Sequence, residues 1–205
     1  MKTMLILTGP QGSGNHMWAK IFALHPWVQG WSALLDTYWI GHDQEPFADC
    51  WHNPELLRLR NWGTHNYYCT SISVPYMSQG EFITPNFRSF VRGCQNAGVL
   101  VKFAVLGRDR SILERQQQRV RNTVTLQSAL AEFQDLAAPY FLSYELLHLY
   151  GTKYLESVSQ QLAFPIAHQD PRLIEIIAED TNSKYIKTAR PTDTDRLARL
   201  ASGLN

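Results

Sequence analysis

The start of the chain combines an apolar segment, a glycine-rich turn and an amphipathic pattern in an order that few folds accommodate. Thr3 to Thr8 is typical of a short buried strand, and Gly9-Pro10 closes it. Three apolar residues then recur on one face of a predicted helix: Met17, Ile21 and Leu24. Strand, glycine turn and helix in this order predict the first βα unit of an α/β domain. In such domains, ligands bind beyond the carboxyl ends of the strands.

Strand and helix patterns continue to alternate along the rest of the chain. Further strands are predicted at 67–74, at the nearly continuous apolar run 99–107, and at "YFLSYE". Helices are predicted from residue 54, at 84–97, from 109 or 111 to 121, and at 125–137, 146–162, 171–179 and 192–201. The pattern predicts one α/β domain over residues 1–205, with three α/β/α layers and a mainly parallel central sheet.

Composition narrows the class of protein. The chain has 205 residues, of which 44% are hydrophobic and 18% charged, with a formal net charge of +1. These values are typical of a globular protein and argue against a nucleic-acid coat protein. Its three cysteines form no C-x-x-C pair, and no stretch approaches the ~20 apolar residues of a membrane span. We therefore expect a reduced, cytoplasmic protein that binds neither membranes nor nucleic acid.

The turn "LTGPQGSGNH" has the glycine spacing of a phosphate-binding loop without its lysine. Gly9 and Gly14 are spaced as in a P-loop, but Asn15 and His16 stand where Lys and Ser/Thr are expected. Backbone N–H groups at the start of a helix still attract anions. The predicted phosphate ligands are Gly12, Ser13, Gly14, Asn15 and His16. The alternative is a tight turn without a ligand, and magnesium-dependent ATP or GTP hydrolysis is disfavoured.

A second basic segment, "GRDRSILERQQQRVR", follows the strand at 99–107. Arg108 and Arg110 lie at the junction between strand and helix, where arginine is well placed to bind phosphate. The remaining arginines of the segment are expected to lie on the solvent-exposed face of the helix: Arg115, Arg119 and Arg121. Two phosphate-binding elements without a magnesium site indicate a nucleotide that carries separate phosphates.

At these motifs the sequence resembles the sulfotransferase family, which implies a P-loop NTPase-like fold. "QGSGNHMW" is similar to that family's P-K-S-G-T-T-W motif at Ser13, Gly14 and, with one residue of slack, Trp18. "VLGRDRSILERQ" is similar to its R-x-P-x-x-x-x-x-S motif at Arg108, with Gln116 at the serine position. "FLSYELL" resembles its strand followed by Y-E-D-L. The family's loop lysine is replaced by Gly12.

The resemblance implies a cofactor and a role for each site residue. The cofactor is 3′-phosphoadenosine 5′-phosphosulfate (PAPS), and adenosine 3′,5′-bisphosphate (PAP) is its product. Backbone amides of residues 12–15 would hold the phosphosulfate, and His16 would donate to the bridging oxygen. Arg108, with Ser111 or Gln116, would hold the 3′-phosphate, and no metal is required. The charge of the missing lysine would come from His16 or from another lysine, such as Lys102 or Lys187.

The catalytic base and the acceptor are predicted from the segment between the first two motifs. The family's base is a His or an acidic residue from this segment; His65 is our first prediction and Asp36 the second, with His42 and Asp43 as further candidates. Aromatic residues of this segment form either core or the wall of a pocket for a carbohydrate or other small hydroxylated acceptor: Trp27, Trp31, Trp39, Trp51, Trp62, Tyr38, Tyr67 and Tyr68.

Three other functions remain open from the sequence. The chain is alternatively a P-loop small-molecule kinase, which needs a catalytic lysine from outside the loop and an acidic magnesium ligand. It is alternatively a non-catalytic nucleotide-binding or interaction module that lost the lysine. A nucleic-acid binder that uses the arginines between residues 108 and 121 is the weakest alternative, because the total charge is balanced. The sequence leaves the oligomeric state open.

Overall fold

The computed structural model describes residues 1–38, 40–78 and 80–179. The strands are β1 (Lys2–Pro10), β2 (Val28–Gln29), β3 (Tyr67–Val74), β4 (Tyr76–Ser78), β5 (Glu81–Ile83), β6 (Val99–Gly107) and β7 (Tyr140–Ser143). The α-helices are α1 (Asn15–Ala23), α2 (Ala48–His52), α3 (Leu56–Leu59), α4 (Phe87–Asn96), α5 (Arg110–Arg121), α6 (Leu126–Phe133), α7 (Tyr144–Tyr150), α8 (Thr152–Leu162) and α9 (Arg172–Ala178). Short 3₁₀ helices span Ser32–Asp36 and His42–Gln44.

Five strands form a parallel sheet with β1 at its centre. The strand order is β2-β3-β1-β6-β7, and each neighbouring pair is parallel. Pro10 at the end of β1 pairs with Val74 at the end of β3, and Thr8 pairs with Val105 near the end of β6. The turns that follow β1, β3 and β6 therefore start from one edge of the sheet. The strands β4 and β5 form a separate antiparallel hairpin.

Helices cover both faces of this sheet. Alternate residues of β1 face opposite ways and are fully buried: Leu5 and Leu7 on one side, Met4 and Ile6 on the other. The first face packs against α1, α8 and α9, and the second against α2, α3, α4 and α6. This burial on both sides is what a parallel sheet requires. The predicted α/β class, with three layers and a mainly parallel sheet, is confirmed.

The strand predictions at 67–74 and 99–107 match β3 and β6. However, β6 is covered on both faces only in its second half: Leu100 is 43% exposed, whereas Phe103 to Leu106 are buried. In the described part of the chain, no helix combines the length and the apolar character needed to cross a bilayer.

Several predicted helices differ in their boundaries. The helix predicted at 84–97 begins later, because the Asn86 side chain caps it by accepting a hydrogen bond from the Ser89 amide. The helix predicted at 146–162 is two helices, since Gly151 interrupts it with φ of +53°. The helix predicted at 125–137 ends at Phe133. The one predicted at 192–201 lies outside the described residues.

Candidate functional site

The glycine loop joins β1 to α1 at the carboxyl edge of the sheet. Gly12 and Gly14 have φ of +92° and +98°, in the left-handed region that glycine adopts without steric cost. The Ser13 amide donates to the Pro10 carbonyl at 3.1 Å, which closes the turn. α1 then begins at Asn15, so the first amides of the helix face this edge. The loop thus has the local geometry of an anion-binding helix start.

Buried polar atoms without hydrogen-bond partners surround this loop. Ser13 is fully buried and Asn15 is 5% exposed, yet neither Ser13 Oγ nor Asn15 Oδ1 has a partner among the described residues. The other end of the Asn15 amide donates to Ser73 Oγ at 2.6 Å, which ties the helix start to the end of β3. Because an unsatisfied buried polar group is costly, this cluster indicates a site built to receive a polar ligand.

Arg108 extends from the end of β6 into the same loop. Its Nη1 atom donates to the Gly12 carbonyl at 3.0 Å and to Gln116 Oε1 at 3.1 Å. The guanidinium lies 4.4 Å from the ring centroid of Tyr144, within cation–π range. Its Nε–H is buried and has no partner among the described residues. The structure therefore brings together two elements that the sequence separates by 96 residues.

The turn that carries Arg108 is held at both ends. The Asp109 amide donates to Glu145 Oε1 at 2.7 Å, and the Asp109 carboxylate caps α5 by accepting from the Ile112 amide. Ser111 is exposed in the first turn of α5. Its predicted contact with a phosphate stays a prediction. Tyr144 and Glu145, which match the Y-E of the family motif, thus have local roles. Tyr144 packs against the Arg108 guanidinium, and Glu145 fixes the peptide between Arg108 and Asp109.

His16 lies in the first turn of α1, where its imidazole is hydrogen-bonded to the 27–66 segment. Its Nε2 atom is 2.9 Å from the Ile40 carbonyl, and since a carbonyl only accepts, Nε2 is the donor. The ring packs against Trp31 and His42, with centroid distances of 5.1 and 4.8 Å. Because Nε2 donates its proton to the Ile40 carbonyl, it does not make the predicted hydrogen bond to the bridging oxygen. The structure instead adds His42 to the neighbourhood of the loop.

The structure does not bring His65 to the loop. Its carbonyl accepts hydrogen bonds from Lys2 Nζ and Tyr68 Oη, at 3.1 and 2.8 Å, beside the beginning of β1. β3 then runs for seven steps to its carboxyl end, about 23 Å at roughly 3.3 Å per residue. The prediction of His65 as a base at this site is therefore corrected. A strand start and a strand end are on opposite edges of a parallel sheet.

Asp36, the second predicted base, is exposed at the end of its 3₁₀ helix. Its charge interacts with Arg172 in α9. This placement gives no support to a role as base.

The lysine that the loop lacks is not replaced by Lys102. That side chain starts opposite Leu5, in the middle of β1, and its Nζ donates to the carbonyls of Leu162 and Ala163 at the end of α8. Lys20 is also occupied, because its Nζ forms a buried ion pair of 2.7 Å with Glu179. Lys187 lies outside the described residues.

Most aromatic residues between the two motifs are core. Trp51 stacks on Phe90 at a centroid distance of 3.9 Å, and Trp62 packs edge-on against Tyr68. Trp27 is 66% exposed, and Trp39 lies outside the described residues. Trp31 also belongs to the core and is 2% exposed. It lies beside His16 and His42, and its indole N–H has no partner among the described residues.

Comparisons with known proteins give only distant structural likenesses. No family model matches the chain, and no curated protein matches it. Among solved structures, the crystal structure of mouse sulfotransferase SULT7A1 complexed with PAP aligns with a TM-score of 0.44 and 12% identity. The alignment covers 94% of this chain and 68% of that one. At this identity and TM-score, the likeness assigns no function to the chain.

Proposed function

We propose that this chain is a PAPS-dependent sulfotransferase that acts on a hydroxyl of a small molecule or carbohydrate. The contact between Arg108 and Gly12 carries the proposal, because it joins an anion-binding helix start to a cationic group in one site. A nucleotide with one phosphate at the 5′ position and another at the 3′ position of its ribose would match two such elements. The resemblance of both sequence motifs to the sulfotransferase family supports the same nucleotide.

The residues around the loop suit such a nucleotide. The amides of residues 12–15 would hold the 5′-phosphosulfate together with the Ser13 hydroxyl, which has no partner in the described part of the chain. Arg108 would hold the 3′-phosphate with its Nε–H, which likewise has no partner there, and the amide nitrogen of Gln116 would add a donor. When bound, PAPS supplies a sulfuryl group that leaves with its bond to the bridging phosphate oxygen.

Transfer also requires an acceptor subsite and a base. The acceptor oxygen forms a bond to sulfur, the bond from sulfur to the bridging oxygen breaks, and the acceptor's proton passes to the base. We place this subsite beside Trp31 and the paired imidazoles of His16 and His42. His42 takes the role of base, because its ring lies 4.8 Å from the ring of His16 in the first turn of α1.

Calorimetric titration with PAP, compared with magnesium-ATP, tests the nucleotide. We expect a Kd of about 1 μM for PAP without magnesium, lost in Arg108→Ala and kept in Arg115→Ala, an exposed arginine of α5. Absence of PAP binding, or a preference for magnesium-ATP, overturns the proposal and favours the kinase. Turnover of PAPS with a panel of phenols and sugars then tests transfer, and His42→Ala is expected to lower turnover while PAP binding persists.

A non-catalytic nucleotide-binding module is the second candidate. The engagement of Lys20 and Lys102 at other places favours it, since the bridging oxygen then has no lysine from either position. The same titrations separate the two functions: PAP binding without sulfuryl transfer to any acceptor of the panel supports the module.

A further inference from the structure

Gln117 is a fully buried glutamine at the centre of the polar run "RQQQR" in α5. Its neighbours in that run have different surroundings. Gln116 contacts Arg108, whereas Gln118 is exposed and donates to Asn122 Oδ1 at the end of the helix, at 3.0 Å. Since a buried amide is costly unless both of its ends are bonded, the partners of Gln117 define its role.

The Gln117 amide joins the glycine loop to the start of α6. Its Nε2 donates to the Gln11 carbonyl at 2.8 Å, and its Oε1 accepts from the Thr125 amide at 2.9 Å. A carbonyl accepts and an amide N–H donates, so both partners are satisfied by one orientation of this side chain. The donor end reaches the loop across 106 residues of sequence.

This bond sets the direction of a loop peptide. In a trans peptide, the C=O of one residue and the N–H of the next point in opposite directions. With the Gln11 carbonyl held toward α5, the Gly12 N–H faces away from α5. The next peptide is fixed as well. Arg108 donates to the Gly12 carbonyl, and the Ser13 N–H donates to the Pro10 carbonyl. The peptide between Gln11 and Gly12 could flip at Gly12, because glycine adopts φ of either sign and here has a φ of +92°.

We propose that Gln117 is a positioning residue that keeps the Gly12 N–H directed at the anion bound by the loop. The proposal rests on the proposed function, because the anion is the phosphosulfate or the 5′-phosphate of that nucleotide. A flipped peptide would present the Gln11 carbonyl to the anion in place of a donor. Gln117 therefore acts on affinity through the loop, without contact with the nucleotide.

The test compares Gln117→Met with the matched control Gln118→Met, which makes the same change one residue further along α5. Methionine has a volume similar to glutamine, but its thioether donates no hydrogen bond to the Gln11 carbonyl. We expect PAP to bind Gln117→Met at least about tenfold more weakly than the wild type, and Gln118→Met within about twofold.

A readout without nucleotide keeps this inference separate from the proposed function. Hydrogen exchange of residues 11–14 is expected to be faster in Gln117→Met than in Gln118→Met. Gln117→Leu, compared with Gln118→Leu, gives the same test if the methionine variant does not fold. Equal exchange and equal PAP affinity in both variants overturn the role of Gln117 and leave the proposed function standing. If the wild type binds no PAP, the proposed function fails, and with it the role of Gln117 in anion binding.

Discussion

Nη1 of Arg108 donates a 3.0 Å hydrogen bond to the carbonyl oxygen of Gly12. This contact joins the turn after β6 to the turn after β1. It also leaves the guanidinium stacked on Tyr144, with its Nε–H buried and partnerless among the described residues. A cation held in this manner is pre-organised, so little side-chain entropy is lost when it binds an anion.

Substitution of Arg108 tests this arrangement. Arg108→Ala is expected to weaken PAP binding by about 100-fold, because a charge-assisted, forked contact is lost. Arg108→Lys keeps the charge but loses the fork and the stacking on Tyr144, so we expect it to recover only a small part of that affinity. Calorimetry on both variants checks this. Full affinity in Arg108→Lys would show that only the charge matters.

Ser13→Ala is expected to change stability and binding in opposite senses. It removes a buried hydroxyl that has no partner among the described residues, so the free energy of unfolding rises by up to about 1 kcal/mol. It also removes a ligand donor, so PAP affinity falls several-fold.

The contrasting variant is Ser143→Ala. That hydroxyl caps α7 by accepting from the Leu146 amide at 3.1 Å, and its loss costs about 1 kcal/mol. Urea unfolding and calorimetry measure both variants. A loss of stability in Ser13→Ala would show that its hydroxyl has a partner in the unliganded protein.

Gly12→Ala and Gly80→Ala separate backbone strain from an effect on the site. Both glycines have positive φ, +92° and +86°, so each alanine is expected to cost about 1–2 kcal/mol of stability. A Cβ at Gly12 would also lie 3.2 Å from Gln116 Oε1, whereas one at Gly80 meets no atom within 4 Å. We expect only Gly12→Ala to weaken PAP binding. Equal affinities in the two variants would count against the loop as the binding element.

Glu45 makes stability depend on pH. Burial raises the pKa of its carboxyl to about 8, and the hydrogen bond from the Phe47 amide and the charge of Arg60 oppose this only in part. A carboxyl whose pKa is raised by folding destabilises the folded state once pH exceeds its unfolded value of about 4.5, and the penalty grows until about pH 8.

Glu45→Gln is therefore expected to stabilise the protein by about 3 kcal/mol near pH 7 and to make little difference near pH 4. Urea unfolding of both proteins across this pH range measures the gap in the free energy of unfolding. A gap that does not change with pH would show that the carboxyl has the same pKa in the folded and unfolded proteins.

Local sequence signals predicted the elements that carry the site. The apolar runs at 67–74 and 99–107 match β3 and β6, and the glycine turn before Asn15 lies between β1 and α1. Errors arose where a single residue decides a boundary, as at Gly151, or where a hairpin of short strands such as β4 and β5 carries little pattern.

The choice among histidines could not be made from the sequence. Titration range favoured a histidine over the acidic candidates. Among the histidines, His65 was preferred because it directly precedes a predicted strand, whereas His42 lies in an irregular segment. The structure places His65 beside Lys2 at the amino edge and His42 beside His16. Which edge of the sheet a loop residue reaches depends on strand direction and on how the irregular 27–66 segment packs, and neither leaves a periodic signal.

The sequence by itself determined the α/β class and the glycine loop, and it singled out Arg108 as a predicted phosphate ligand. These signals are readable because hydrophobic periodicity and turn chemistry act over a few neighbouring residues. Only the tertiary structure decided what these pieces contact. It placed Arg108 on the Gly12 carbonyl, Gln117 on the Gln11 carbonyl, and Lys102 at the end of α8. Such contacts join residues about 60 to 106 positions apart, and they follow from strand order and register, which no local pattern encodes.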